Sequence, residues 1–588
     1  MGIGRFDRHS GDRLHPDGKI PLPLALGLAL QITGLVLPGI VLIPTIVFRA
    51  AGESEAVLLW AVFASLVVCG VTTMLQGLRV GRLGAGYILS IGTSGAAIAV
   101  SIAALEAGGT SLLASLVLAL ALFQFAFSAR LSLFRRILTP TVTGTVIMLT
   151  PVTVMPFIFE LLENVSKETN PLAAPLSAFT TLLVICGIVL RAGGTLRLWA
   201  PVIGIVAGSA VSGAFGLYDV DLIARASWIG IPEIAWPGLG LDLGPAFWVL
   251  LPAFLFIALI CTIQTISGSV AIQRVSWAVP RAVDFRVVQG AVAADGVGNL
   301  LSGLAGSMPV GFRPTGASMV EITGISSRRI GITLGAVLIA LSCLPKALAV
   351  ILAIPGPVVA AFITITMATI FIIGMKVILQ DGIDYRNGLI AGVSFWIGVG
   401  FQNGVIFPGF VSNFVGGLLQ NGMMAGGLAA IAMTAFVELT KPRPSRIEVG
   451  FEISSLNEIR KFIGAFATRN GWDEAMAARL DAAGEETLLT LLDQEEVDDE
   501  HERRRLFLAA RREGDGAVLE FVASKGEENL QDRIALLGEA GAEDPIEREV
   551  SLRMLRHLAS SVRHQQYHGT DIVTVRVEPL RVVSGVRP

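Results

Sequence analysis

The first 440 residues of this chain hold fourteen apolar stretches of about the length that crosses a bilayer, at 22–48, 57–78, 85–104, 111–134, 141–160, 176–191, 199–217, 246–272, 287–304, 307–323, 329–352, 357–379, 388–408 and 418–438. A crossing helix needs about 20 mostly apolar residues. In lipid every backbone polar group must be bonded within the protein, which leaves helices as the spanning element here. The chain is 53% hydrophobic and 15% charged, with mean hydropathy +0.69. That composition argues against a water-soluble enzyme, and no nucleic-acid partner is expected. The charge is concentrated at one end: residues 441–588 carry 28 of the 47 acids and 21 of the 44 bases. The expected fold is an all-α polytopic membrane protein followed by a small acidic α+β domain. A polar tail (1–21) precedes a transporter domain (22–440), and the domain behind it spans 445–588.

The membrane part reads as one half written twice. Gly92-Thr93-Ser94-Gly95 is echoed by Thr315-Gly316-Ala317-Ser318, and the segment at Pro140 by that at Pro357, both roughly 220 residues later. Loops after even-numbered stretches carry most of the arginines, among them Arg79, Arg82, Arg135, Arg136, Arg274, Arg281, Arg328 and Arg329. Loops after odd-numbered stretches carry only Arg49, Lys167, Arg225 and Lys346. Basic loops stay in the cytoplasm, so both termini are expected there, in a multi-pass protein of the cell inner membrane. Seven passes per half is odd, so the second half enters inverted. A 7+7 inverted repeat supplies two related conformations, one open to each side.

Stretches three and ten break the helical pattern. The tenth reads Met308-Pro309-Val310-Gly311-Phe312-Arg313-Pro314-Thr315-Gly316-Ala317-Ser318, too rich in proline and glycine for a regular helix. We expect an extended piece and then a half-helix from Thr315, with a partner near Thr93. Facing half-helix N-termini offer unpaired N–H groups to a small polar or anionic ligand. The ionisable groups at membrane depth are Asp295, Arg313 and Glu321, each costing about 2.5–3.5 kcal/mol at a helix centre. Asp295 and Glu321 are the candidates for coupling transport to protons or sodium; a structural lock for Asp295 and an interfacial place for Glu321 are equally open. All six histidines lie outside the membrane stretches, and the four cysteines have no metal-ligand spacing. No catalytic residue, metal site or cofactor is assigned.

At these residues the chain resembles the nucleobase–ascorbate transporter family, the uracil and xanthine permeases. The resemblance rests on Gln31, Pro44, Gly92-Thr93-Ser94, Pro140-Thr-Val-Thr-Gly144, Ala294-Asp295-Gly296 and Thr323-Gly324-Ile325-Ser326-Ser327-Arg328-Arg329, and it covers nearly all of 22–440. It implies a core domain (stretches 1–4 and 8–11), a gate domain (5–7 and 12–14), elevator-like movement and often a homodimer. It places Gln264 where the family has a ring-gripping glutamate, Thr315-Gly316 at the Gln/Glu-Asn pair and Gly95 at a phenylalanine. Substrate-binding candidates are therefore Gln264, Thr315, Gly316, Ser94, Gly95, Arg313 and Ser318. Gln264 can bond an amide-like ring edge but cannot titrate. The expected substrate is a nucleobase or related purine. An anion carried as in the similar sulfate-permease family is the alternative, and a non-transporting sensor is a third reading.

Behind Lys441-Pro442-Arg443-Pro444, an apolar stripe at Leu456, Ile459, Phe462, Ile463 and Phe466 predicts a helix, and Met476, Leu480, Leu488 and Leu491 predict a second. Val518–Val522 and Ile572–Val577 read as strands around a helix at about 546–563, and Asp493–Arg505 as a solvated charged run. The order weakly resembles the ATP-binding fold of anti-sigma factors and histidine kinases, with Glu485-Glu486 at its N-box. The asparagine and the glycine signatures expected near Lys525-Gly526 and Glu549–Leu552 are missing. A degenerate fold acting as a dimerising or regulatory module, with a cytoplasmic partner, is expected rather than an ATPase.

Overall fold

The computed structural model describes residues 16–129, 139–163, 170–236, 243–277, 282–379, 385–406, 422–440, 445–492, 505–523, 554–567 and 570–579. The chain forms two compact units, Met1–Ala278 with Val287–Leu439, and Val279–Arg286 with Thr440–Pro588.

In the first unit the helices are α1 (Leu22–Ala50), α2 (Glu55–Leu78), α3 (Ile98–Ala129), α4 (Pro140–Glu163), α5 (Ala173–Arg191), α6 (Gly194–Ala214), the short α7 (Val220–Arg225), α8 (Pro245–Ser276) and α9 (Phe285–Leu304). After these come α10 (Thr315–Thr323), α11 (Arg328–Ser342), α12 (Pro345–Leu352), α13 (Gly356–Leu379), α14 (Tyr385–Gln402) and α15 (Gly422–Thr440). Among the described residues seven helices are long and apolar enough to cross a membrane, or eight if α11 and α12, bent by 86°, count as one. Proline opens α8 and α12, where its missing N–H costs nothing. Ser54 caps α2 by accepting from Val57 N at 3.4 Å. α3 is two helical runs that meet at Gly108 and Gly109, where Gly109 takes φ +65°.

Lipid tails are as apolar as leucine, so close backbone approach holds such helices together. α2 lies on α11 where a side chain at Gly70 would sit 2.7 Å from Gly335 O, and α4 lies on α13 where one at Gly144 would sit 2.6 Å from Gly374 O. The third and tenth stretches are not plain helices. The third is a strand, β1 (Ser90–Thr93), a 3-10 turn (Gly95–Ala97) and the first run of α3; the tenth is β2 (Val310–Arg313) followed by α10.

The second unit is a five-stranded antiparallel sheet in the order β3-β4-β5-β7-β6, made of β3 (Ser445–Gly450), β4 (Arg505–Glu513), β5 (Gly516–Ala523), β6 (Ser561–Tyr567) and β7 (Thr570–Val577). Helices α16 (Leu456–Arg469) and α17 (Glu474–Leu492) pack on it. The predicted stripe forms its core: Ile459, Ile463, Phe466, Met476, Leu480 and Leu488 are buried against Leu508, Leu519, Phe521 and Val575. One expectation is corrected. Ser561–Tyr567 is strand β6, paired with β7, and not the end of a helix; its period-two alternation suits a sheet whose one face is buried. Residues 546–553, the charged run before Arg505, Lys525-Gly526 and Glu549–Leu552 lie outside the described residues.

Candidate functional site

β1 and β2 pair antiparallel, Ser90 opposite Arg313 and Thr93 opposite Val310. Two strands buried in a membrane protein must satisfy their outer edges without water, and side chains of neighbouring helices do so. Asn299 of α9 accepts from Val310 N at 2.8 Å and donates to Val310 O at 3.0 Å, while Thr73 of α2 accepts from Ile91 N at 3.1 Å. Ser94 N donates to Pro309 O at 2.8 Å, which closes the pair at its other end. Each strand then turns into a helix start. Ser90 Oγ donates to Arg313 O at 2.9 Å and accepts from Gly316 N at 3.3 Å, so it caps α10 from the opposite strand. A side chain at Gly316 would sit 2.5 Å from Ile88 O; only glycine lets α10 come this close.

The predicted residues are distributed as follows. Gln264, on α8, is half-buried, and its amide has no hydrogen-bond partner among the described residues. One turn on, the place of a Gly268 side chain is taken by the Phe312 ring, 2.4 Å from where a Cβ would stand. Ser94 is buried with Oγ 3.4 Å from Cys261 Sγ, a turn before Gln264 on the same helix. Thr315, Gly316 and Ser318 form the first turn of α10. Arg313 reaches back across the pair to donate to Thr93 O at 2.5 Å. Gly95 is buried, but it faces away: a side chain there would lie 3.3 Å from Met367 of α13. Glu321 is exposed near the end of α10 and joins none of these groups.

Asp295 is fully buried on α9 and has no basic partner among the described residues. Its oxygens accept from Gln76 Nε2 at 2.9 Å and from Thr265 Oγ1, the neighbour of Gln264 in sequence. Gln76 Nε2 also donates to Ala291 O, and its Oε1 accepts from Ala85 N at 3.2 Å. Asn299, one turn along α9, donates to Gln124 Oε1 of α3 at 2.8 Å. One polar network therefore ties α2, α3, α8, α9 and β2 together. Gln76, Thr265, Asn299 and Phe312 were not among the predicted residues. The i, i+4 spacing of Asp295 and Asn299 inside an apolar stretch was the available signal.

Among the described residues no three His, Cys, Asp or Glu side chains cluster as a metal site would require. An open hollow of about 490 Å³ on α14, lined by Leu389, Val393, Trp396 and Ile406 among others, shares no residue with the strand pair.

Residues 25–406 match the profile of the xanthine/uracil permeases, described as the Permease family. The uric acid permease PucK of Bacillus subtilis is 25% identical over 413 residues, covering 70% of this chain and 94% of its own length. The xanthine permease XanP of Escherichia coli is 25% identical over 438 residues, 71% of this chain and 92% of its own. Among solved structures, the transmembrane domain of a cyanobacterium bicarbonate transporter, BicA, aligns with TM-score 0.42 and 16% identity, over 72% of this chain and all of that one.

Proposed function

We propose a substrate and a mechanism from the premise that this chain belongs to the Permease family of xanthine and uracil permeases: it is a secondary active transporter of an oxopurine of the xanthine or urate class. The observation that carries this reading is the half-buried amide of Gln264, without a hydrogen-bond partner among the described residues, beside a strand pair that opens into two helix starts. A carboxamide presents one acceptor and two donors to the alternating N–H and C=O edge of an oxopurine. Phe312, laid on Gly268, supplies a flat apolar face for the ring. Thr315, Gly316 and Ser318 line the start of α10, and Ser94 that of α3.

Fourteen spans in two inverted halves support alternating access. If stretch n corresponds to stretch n + 7, each helix pairing has a counterpart. α2 on α11 is answered by α9 on the second run of α3, where Gly303 meets Leu118 and Gly296 meets Phe125. α5 on α6, with Gly204 against Ile185, is answered by α14 on α15, with Gly398 against Gly422. The core, holding the strand pair, slides against the gate helices α4–α6 and α13–α15, in a homodimer. Asp295 is the coupling group this geometry favours over the exposed Glu321, with a proton or sodium as the driving ion. Both termini face the cytoplasm, where residues 445–588 meet a regulatory partner.

Proteoliposome uptake of labelled xanthine, urate, uracil, sulfate and bicarbonate tests the reading. Saturable uptake of xanthine or urate is expected. Uptake of the inorganic anions alone would favour a sulfate-permease-like carrier, and neither uptake nor binding of any of the five would sink transport altogether.

A further inference from the structure

Arg313 is a cation at membrane depth without an acid paired to it among the described residues. The Thr93 carbonyl takes one of its N–H groups at 2.5 Å, and two residues with no side chain lie against it. A Cβ on Gly92 would sit 2.9 Å from its Nε, and one on Gly39 of α1 would sit 3.5 Å from its Nη2. The two glycines thus form a slot for the guanidinium. Along β2 the side chains alternate, so Phe312 lies toward Gly268 of α8 while Arg313 lies toward Gly39 of α1. The guanidinium carries five N–H donors in a fixed plane; one has an acceptor among the described residues. The titratable groups within electrostatic reach are the thiols of Cys69 on α2 and Cys261 on α8. The buried carboxylate of Asp295 is engaged by Gln76 and Thr265 and forms no ion pair with Arg313. A cation that served only to lock the fold at this depth would be paired with an acid or with several carbonyls.

We propose that Arg313 is the charge-selecting residue of the site, so that the ring is taken up as an anion, a singly deprotonated oxopurine, in preference to a neutral base. The proposal rests on the transport reading above and adds to it the ionisation state of the substrate. Thr93, whose carbonyl holds the guanidinium, is followed by Ser94, whose hydroxyl meets Cys261 one turn before Gln264. Charge and ring edge are thereby read from opposite sides of one strand pair.

The test is competition binding to the purified full-length protein with labelled urate, using uric acid, xanthine, hypoxanthine and uracil across mildly acidic to neutral pH. Uric acid and xanthine ionise near this range, whereas hypoxanthine and uracil stay neutral. Wild type should bind urate about tenfold or more tightly than hypoxanthine, and should lose that advantage as pH falls through the ionisation of uric acid itself; charged hydrogen bonds are worth about that much. Arg313→Gln should abolish the advantage and its pH trend, and Arg313→Lys should keep part of both. Equal binding of urate and hypoxanthine by wild type, a pH trend for hypoxanthine as steep as that for urate, or an Arg313→Gln variant with unchanged urate affinity would each overturn the proposal while leaving oxopurine transport standing. If wild type binds none of the four rings, the transport reading fails and takes the proposal with it. If Arg313→Gln does not fold, the wild-type pH trends decide alone.

Discussion

Gly268 shows how much of this site depends on an absent side chain. Its Cβ would stand 2.4 Å from the Phe312 ring, whereas one on Gly27 would meet nothing within 4 Å. Gly268→Ala should therefore expel the ring at about 1–3 kcal/mol of strain and cut uptake at least several-fold, while Gly27→Ala leaves it unchanged; labelled-substrate uptake normalised to membrane expression separates the two. Asp295 makes a second case. Asn keeps its size but turns one acceptor into a donor aimed at Gln76 or Thr265. Asp295→Asn should cost about 1–3 kcal/mol, read as a lower melting midpoint in detergent. It should also abolish pH-driven accumulation if Asp295 carries the coupling proton; accumulation that persists would clear it of that role. Charged residues in apolar stretches were legible in the sequence because their cost demands a reason. Gln76 and Asn299 were not, because a neutral amide shows its importance only through its partners. For those two most of the partners sit on other elements, distant in sequence.

At the scale of elements, Pro309, Gly311 and Pro314 announced that the tenth stretch could not be a rod, and the strand and half-helix followed from them. The register of β1 against β2 was hidden, since its partners lie more than 200 residues apart and pairing at that range leaves no local trace. Asn299 is the side chain that substitutes for a third strand. Asn299→Ala should leave both Val310 N and O unbonded in the interior, a loss of about 1–3 kcal/mol for each group left orphaned, seen as a drop in melting midpoint larger than that of Ser115→Ala. In the second unit, α16 and α17 were legible from their stripe, while β3 and β4 were not named, because charged residues interrupt their apolar alternation. α17 carries a pH response. Burial pushes the Asp481 carboxyl above its usual range, against the pull of Arg460 at 3.6 Å and with a further push from Glu485. An acid raised in the folded state binds its proton more tightly there than in the unfolded chain, so this group adds stability as pH falls toward the ordinary aspartate range near about 4. Asp481→Asn should flatten that part of the unfolding profile of this unit; a profile parallel to the parent's would refute it.

For the whole molecule the decisive feature is how the membrane unit sorts its loops onto two faces. On one face, Trp60 at the start of α2 donates to Ala305 O after α9, Trp236 before α8 donates to Leu304 O, and Lys346 N after α11 donates to Ser227 O. On the other, Ser327 before α11 donates to Gly18 O before α1, Ser128 at the end of α3 donates to Gln289 O near the start of α9, and Trp277 after α8 donates to Tyr87 Oη before β1. The first set joins ends that follow odd-numbered stretches and the second joins ends that follow even-numbered ones, the same division that the arginines make in the sequence. The proposal that the second face is cytoplasmic rests on its charge, because that face carries Arg79, Arg82, Arg328 and Arg329. Single cysteines introduced at Glu53, Gly109 and Glu233 on a background lacking Cys69, Cys186, Cys261 and Cys343 should react with a membrane-impermeant maleimide added to intact cells. Cysteines at Asp17, Arg82 and Arg328, all exposed, should react only after the membrane is opened. The pair at Arg82 and Gly109 is the most demanding, because only a broken third stretch, a strand and half-helix in place of a full rod, has to carry the chain across between them. Labelling of both from the same side would make that stretch re-entrant, leave each half with an even number of crossings and remove the inversion on which the proposed alternating access depends.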